Sequence, residues 1–308
     1  MKHFKSIVQL LDHFKDEQTC IDFLEQQKWN GQPVCPHCQH DQVYRVKPGK
    51  YRCKAKGCCQ YFTVRHNTIY ADSRIPLRIW FGAIYLYTTS KKGLSSVQLA
   101  TQLNITQKTA WFLAHRIREA FVEKVVTPLE GVVEVDEMYV GGLESNKHIS
   151  KKDKEGRGQN CKHIIIGFVE RGGRVRMKHL PNTNADTMQP AVFQNVSLDA
   201  HLISDAHASY KTLWMVYDNH TIVKNHSSYR TQGTYHTNTI EGFWSIFKRG
   251  YVGIYQYMSK EHIMRYCNEF AYRYNTRRVS AEERFEDSIK NLQGVHLNYK
   301  QLTGKEKK

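Results

Sequence analysis

Apolar side chains recur at helical spacing near the start of the chain: Ile7, Leu10, Leu11 and Phe14, then Ile21 and Leu24, with Lys, Asp and Glu interleaved. That period predicts one or two short amphipathic helices over residues 5–28, stopped by Trp29-Asn30-Gly31-Gln32-Pro33. The pattern then shortens to alternating segments, Val43 to Val46 and Tyr61 to Val64, which read as short strands. Helical spacing returns from Pro76 to Phe121. Pro76 opens one helix, Ser95 to Leu103 forms a second after the Lys91-Lys92-Gly93 break, and Thr106 caps a third running through Lys108, Trp111, His115, Arg116 and Arg118.

Thr127-Pro128 reads as a linker, and strand patterns follow it. Val132 to Gly142 is a strand with acidic residues near its end. His163 to Val169 and Val175 to Leu180 are two more, joined across Arg171-Gly172-Gly173-Arg174, a strong hairpin turn. Asn184 to Val196 has helical character, Ala200 to Asp205 is a short apolar strand ending in a carboxylate, and Asn238 to Lys248 is again helical. The Lys-, Ser- and Gly-rich stretch Glu144 to Lys162 reads as a mobile loop and a candidate DNA contact. Lys260 to Arg278 mixes Met264, Tyr266, Phe270, Tyr272 and Tyr274 with Arg265, Arg273, Arg277 and Arg278, which suits packing on one side and phosphate contact on the other. The ending Lys305-Glu306-Lys307-Lys308 reads as a disordered tail.

Charge sharpens this outline. Lys and Arg number 45 against 29 Asp and Glu, a net charge of +16, which favours a polyanionic partner and makes nucleic acid the leading one. The longest apolar-aromatic run, Ile79 to Tyr87, falls far short of the roughly 18 residues that span a bilayer. The N-terminal stretch lacks the apolar core of a secretory signal. A cytoplasmic, DNA-associated protein with no membrane segment is therefore expected.

Two short helices joined at Asn104-Ile105, with Ala100 where they approach, match a helix-turn-helix. In that reading Gln107, Lys108, Thr109 and Arg116, with His115, face DNA, while Trp111 and Phe112 belong to the core. Upstream, Cys35-Pro36-His37-Cys38 is followed after 14 residues by Cys53-Lys54-Ala55-Lys56-Gly57-Cys58. Zinc takes four thiolates in a tetrahedron, and two cysteine knuckles on short hairpins supply them. Cys35, Cys38, Cys53 and Cys58 are thus the expected ligands of one structural Zn2+, with Cys59 an alternative to Cys58. Paired cysteines of this kind suit a reducing compartment better than disulfides.

Three carboxylates stand out in the second half. Asp136 and Asp205 end strands, and Glu241 lies near the start of a helix whose Lys248 comes about two turns later on the same face. Glu134 and Glu137 flank Asp136 and are expected to face the opposite way. Three strands, a helix, a strand and a later helix is the order of an RNase H-like core.

With CPHC, V-E-V-D-E-x-Y-V-G-G, I-S-D-A-H and H-x-N-x-I-E-G-F-W-S-x-x-K-R-G in sequence, the chain resembles the insertion-sequence transposases of the DDE type that carry an N-terminal zinc ribbon. The C-x4-C spacing of the second cysteine pair departs from the usual form.

The resemblance implies an α+β multidomain protein: N-terminal helices and zinc ribbon over 1–70, helix-turn-helix over 71–127, RNase H-like (βββαβα) catalytic core over 128–280, and a tail over 281–308. Asp136, Asp205 and Glu241 would hold two Mg2+ (or Mn2+) ions, since converging carboxylates repel without cations between them. Lys248 and Arg249 would contact DNA, and His236 and Asn238 would help position the helix or the DNA. The expected partners are element terminal repeats and target DNA, bound by a homodimer or higher assembly. Two other readings share these features: a non-catalytic DNA-binding regulator, and a nuclease that cuts without joining.

Overall fold

A computed structural model of the chain describes residues 4–142, 148–151, 162–223, 235–291, 294–295 and 297–304. Most of the Lys-, Ser- and Gly-rich stretch between 144 and 162, His226 and the terminal 305–308 lie outside the described residues. The chain divides into two compact units, Met1–Phe121 with Arg278–Lys308, and Val122–Arg277.

In the first unit, α1 (Ile7–His13) and α2 (Glu17–Trp29) form because each has a side-chain cap. Ser6 accepts from Gln9 N, and Asp16 accepts from Thr19 N at 2.8 Å. Asn30 ends α2 in the left-handed region at φ 51°, and Gly31 follows at φ 80°. A three-stranded antiparallel sheet comes next, β1 (Val43–Lys47), β2 (Lys50–Cys53) and β3 (Tyr61–Thr63), in that order. Its buried face carries Tyr51, Cys53 and Phe62 with Cys35, packed on Trp29. Glu25 of α2 reaches across to this sheet, accepting from Arg45 at 3.0–3.1 Å and from the Tyr51 hydroxyl.

Three helices complete the unit's middle: α3 (Leu77–Thr89), α4 (Ser96–Leu103) and α5 (Gln107–Ala120). Ser95 caps α4 and Thr106 caps α5, with Asn104 left-handed in the short turn between them. The expected Thr106 cap and the turn at Asn104-Ile105 are thus in place. After the second unit the chain returns to the first. Residues 281–304, expected as a tail, instead hold α9 (Ala281–Asn291) and α10 (Tyr299–Leu302). Phe285 is fully buried against Phe4, Phe81 and Tyr85, so burial of an aromatic outweighs the polar composition of α9.

The second unit is a five-stranded mixed sheet with strand order β6-β5-β4-β7-β8. β4 (Val132–Val140), β5 (His163–Glu170) and β6 (Val175–Leu180) form an antiparallel meander, turned at Gly172 (φ 74°). Then α6 (Ala185–Asn195) leads to β7 (His201–Asp205), which pairs in parallel with β4, and to β8 (His220–Val223), an edge strand not anticipated from the sequence. α7 (Asn238–Gly250) and α8 (Ile263–Asn275) follow. Val133, Val135, Phe168 and Leu202 pack with Met188 and Val192 of α6 in one apolar cluster. Met138, Ile165 and Val169 pack with Ile240, Phe243, Trp244 and Phe247 of α7 and Phe270 of α8 in another. No described helix is long and apolar enough to cross a membrane.

Candidate active site and cysteine cluster

The central strand decides where the carboxylates meet. β4 and β7 run parallel, with Val135 beside Ser204, so the next residues, Asp136 and Asp205, stand side by side. Asp205 ends β7 as expected, but Asp136 lies in the middle of its strand, because pairing with β5 carries β4 on to Val140. A cleft of about 980 Å³ opens there, lined by Asp136, Glu137, Asp205, Glu241, Lys248 and Arg249 among others. Helix period brings Glu241, Trp244, Ser245 and Lys248 to its wall. The residues expected to act together therefore share one cavity.

They are not drawn into a tight cluster. Among the described residues, the four cysteines are the group of three or more potential ligand atoms that falls within 4.8 Å of one another. Glu241 accepts from the Thr237 hydroxyl at 3.1 Å, and Asp205 accepts from His207 N at 3.0 Å. Burial, with the charges of Glu137 and Asp205 beside it, pushes the Asp136 carboxyl up to about 7. Glu137 is raised too, by burial and then Asp205, although the Tyr210 hydroxyl donates to it at 2.9 Å. Such a concentration of partly buried negative charge is relieved by cations, and a divalent metal is the chemistry these oxygen donors fit.

Sequence reasoning misplaced one neighbour. Glu134 was expected to point away from Asp136, yet residues two apart on a strand share a face. It lies on the α7 side and is 0% exposed. Its carboxylate accepts from Arg171 Nε at 2.7 Å, the Thr239 hydroxyl at 2.8 Å and Ile240 N at 2.9 Å. Arg171 also donates to His236 O at 2.8 Å, so His236 belongs to the same network. A buried carboxylate at a helix N-terminus, satisfied by an Arg and a backbone N–H, locks the start of the helix that carries Glu241. Glu137, by contrast, does turn to the opposite side, toward Tyr210.

Trp244 is the other residue that sequence reading passed over. Its indole N–H donates to Asp136 Oδ2 at 3.0 Å. The ring lies over Gly167, which pairs with Asp136 across the sheet, and a Cβ at 167 would sit 2.5 Å from Trp244 Cζ2. Gly167→Ala is therefore expected to displace the indole and cost about 1–3 kcal/mol of unit stability. Gly242→Ala on α7, whose Cβ meets nothing within 4 Å, serves as the control. Equal thermal midpoints for the two variants would refute this account.

Lys248 and Arg249 are exposed on α7 at the cleft, Arg249 being held by its donation to Ser245 O at 3.1 Å. In the first unit, Gln107 and Lys108 are exposed and Thr109 is half-buried at the start of α5, with Lys108 Nζ 5.3 Å from the centre of the Tyr299 ring. Arg116 is a correction. It is 2% exposed, donates to Ala71 O at 2.7 Å and stacks on Trp80 and Phe112, because the inward face of α5 packs on α3. His115 is fully buried as well, so neither faces solvent. On α8, Arg273 is likewise buried, in an ion pair with Glu269.

The cysteine question resolves geometrically. Cys35 and Cys58 sulfurs are 3.8 Å apart, and Cys38 and Cys53 sulfurs 3.5 Å apart. A tetrahedral zinc about 2.3 Å from each sulfur requires edges of about 3.8 Å, so the four thiols fit it. Cys59 is exposed at φ 48° with its thiol turned to Ala55 O, outside the cluster. The wider C-x4-C loop thus delivers Cys58.

Residues 128–275 match the ISXO2-like transposase domain, and residues 15–61 match the transposase zinc-ribbon domain. A protein of Halobacterium salinarum described as an uncharacterized protein in transposable element ISH50 is 26% identical over 287 residues, covering 88% of this chain and 95% of that one. Among solved structures, a pre-cleavage Mos1 transpososome aligns over 65% of this chain and 75% of that chain, at 13% identity and a TM-score of 0.24.

Proposed function

Because the chain belongs to the insertion-sequence DDE transposases with an N-terminal zinc ribbon, we propose that it binds the terminal repeats of its element, cuts phosphodiester bonds there and joins the freed 3′ ends to target DNA. The observation that carries this reading is the single cleft lined by Asp136, Asp205 and Glu241, with Lys248 and Arg249 beside them. The strand order of the second unit supports an RNase H-like core, its first and fourth strands adjacent and parallel.

Asp136, Asp205 and Glu241 would hold two Mg2+ or Mn2+ ions. When bound, such ions activate the attacking oxygen and neutralise charge on the leaving one. The chain's own residues do the rest. Trp244 holds Asp136 in place from α7, and Glu134 with Arg171 holds α7 against the sheet. Lys248 and Arg249 supply positive charge where a DNA phosphate approaches the carboxylates. Gln107 and Lys108, at the start of α5 in a helix-turn-helix reading of α4 and α5, contact the element-end duplex. The four-cysteine cluster holds one structural Zn2+.

The test incubates the full chain with Mg2+, labelled terminal-repeat DNA and a target plasmid. Joined products support the proposal. Cleavage without joining favours a nuclease, and binding with neither favours a regulator.

A pH dependence follows from Asp136. A carboxyl held protonated up to about 7 in the metal-free fold, against an ordinary value of 3.8, stabilises that fold at low pH and loses this contribution as pH rises toward 7. Mg2+ must displace the same proton. The rise in thermal midpoint caused by Mg2+ is therefore expected to be larger at pH 8 than at pH 5.5, and the difference to shrink in Asp136→Asn. A Mg2+ effect independent of pH would contradict it.

A further inference from the structure

The small sheet β1-β2-β3 has two unlike faces. One packs inward through Tyr51, Cys53 and Phe62 against Trp29. On the other, Tyr44 stands opposite Arg52 and Arg52 opposite Tyr61, a direct row across all three strands. Tyr44 is 59% exposed and Tyr61 53%, so two large rings stand in solvent on one flat surface. Cations accompany both: Lys54 Nζ lies 4.6 Å from the centre of the Tyr44 ring, and Lys50 Nζ and Arg52 Cζ lie 5.2 and 5.5 Å from that of Tyr61. The three strands contain no acidic residue.

We propose that this face binds single-stranded DNA, with Tyr44 and Tyr61 stacking on unpaired bases and Lys50, Arg52 and Lys54 meeting the phosphates between them. Exposed aromatic rings with interleaved cations suit a strand that offers both π-faces and charge. A paired duplex hides its base faces and offers edges in the grooves. Spacing points the same way. The two rings are separated by two strand spacings, about 9.6 Å, nearly three times the ~3.4 Å step per strand of a stacked duplex. They therefore serve separate, splayed bases rather than stacked neighbours. Charge complementarity argues against an apolar protein partner, because Lys50, Arg52 and Lys54 flank the rings and the three strands carry no acidic residue.

The choice of DNA rests on the transposase reading, but the surface uses none of the cleft residues. Binding is therefore measured without Mg2+, where failure of strand transfer leaves the result unaffected. Fluorescence anisotropy with the zinc-loaded full chain compares labelled oligo-dT of about 20 nucleotides, longer than the ~4–16 nucleotides of a stacking groove, with a duplex of equal length.

A Tyr44→Ala, Tyr61→Ala variant is expected to bind oligo-dT about tenfold more weakly or worse, with duplex affinity within about twofold of the parent. A Tyr44→Phe, Tyr61→Phe variant keeps the rings and should bind as the parent does. Arg52→Gln should flatten the salt dependence of oligo-dT binding by about 0.7 in log–log slope. Both tyrosines lie on the solvent face, and unchanged zinc content checks that each variant keeps the ribbon folded. Unchanged oligo-dT affinity in the alanine variant overturns the proposal, as does an equal loss toward duplex. An oligo-U affinity tenfold above that for oligo-dT would overturn the choice of DNA.

Discussion

Asp136→Asn is expected to abolish joined product in the Mg2+-dependent assay, by at least about 10³-fold, while leaving the fold intact. The magnitude follows from what the residue does. It sits in the middle of β4, beside Asp205 at the end of the parallel β7, and accepts from the Trp244 indole. Replacing the carboxylate removes a charged oxygen donor from the place where cations would gather. Metal stabilisation of a reacting phosphate is worth several kcal/mol, and each 1.36 kcal/mol is about tenfold in rate. Stability should hold or rise, because in the metal-free fold burial and two neighbouring carboxylates disfavour the ionised form, and the amide is neutral. Lost activity with a raised or unchanged thermal midpoint would separate chemistry from folding. Joining at parental rate would remove Asp136 from the active site.

Removal of zinc should have the other large effect, and it should be local. The apolar cluster of the ribbon comprises Cys35, Tyr51, Cys53 and Phe62, with Trp29 and a few partly buried neighbours. Two of its four buried members, Cys35 and Cys53, belong to the four-cysteine cluster proposed to hold zinc. Such a core cannot offset the conformational entropy of ordering two hairpins, whereas structural zinc contributes about 10–16 kcal/mol in small ribbons and fingers. A Cys35→Ser, Cys38→Ser variant is therefore expected to purify without zinc and to lose amide-exchange protection over residues 43–63. Helices α3 to α5 keep their own core, in which Leu77, Trp80, Phe81, Leu113 and Ile117 are all buried, and should stay protected. One zinc per chain in the double variant would sink the ligand assignment.

Elements were legible wherever local chemistry repeats over several residues. The Thr106 cap, the short turn at Asn104-Ile105 and the hairpin turn at Gly172 appear where the sequence placed them. β6 begins and ends at Val175 and Leu180, as read. The misread cations have one cause. Arg116, His115 and Arg273 were read as surface cations, because a basic residue on an amphipathic helix normally faces water. Their burial depends on which other helix covers that face, and on partners such as Ala71 O and Glu269 that are distant in sequence or hidden by helix packing. Tail residues 281–304 were misjudged for the same reason: Phe285 finds its pocket among Phe4, Phe81 and Tyr85, far along the chain.

The three carboxylates show the division most clearly. By itself the sequence determined their order and their attachment to two strands and a helix, because strand alternation and helix period are properties of consecutive residues. That β4 runs past Asp136 to Val140 depends on its pairing with β5. Tertiary structure decided the rest: that β7 lies parallel beside β4, that Glu134 anchors α7 through Arg171 and Ile240, and that Trp244 reaches Asp136 over the bare backbone of Gly167. It also chose Cys58 over Cys59, since which sulfur completes a tetrahedron depends on where four thiols converge in space. Spacing along a chain limits which groups can meet. Only packing fixes which of them do, because a buried charge or thiol is held by partners that no local period encodes.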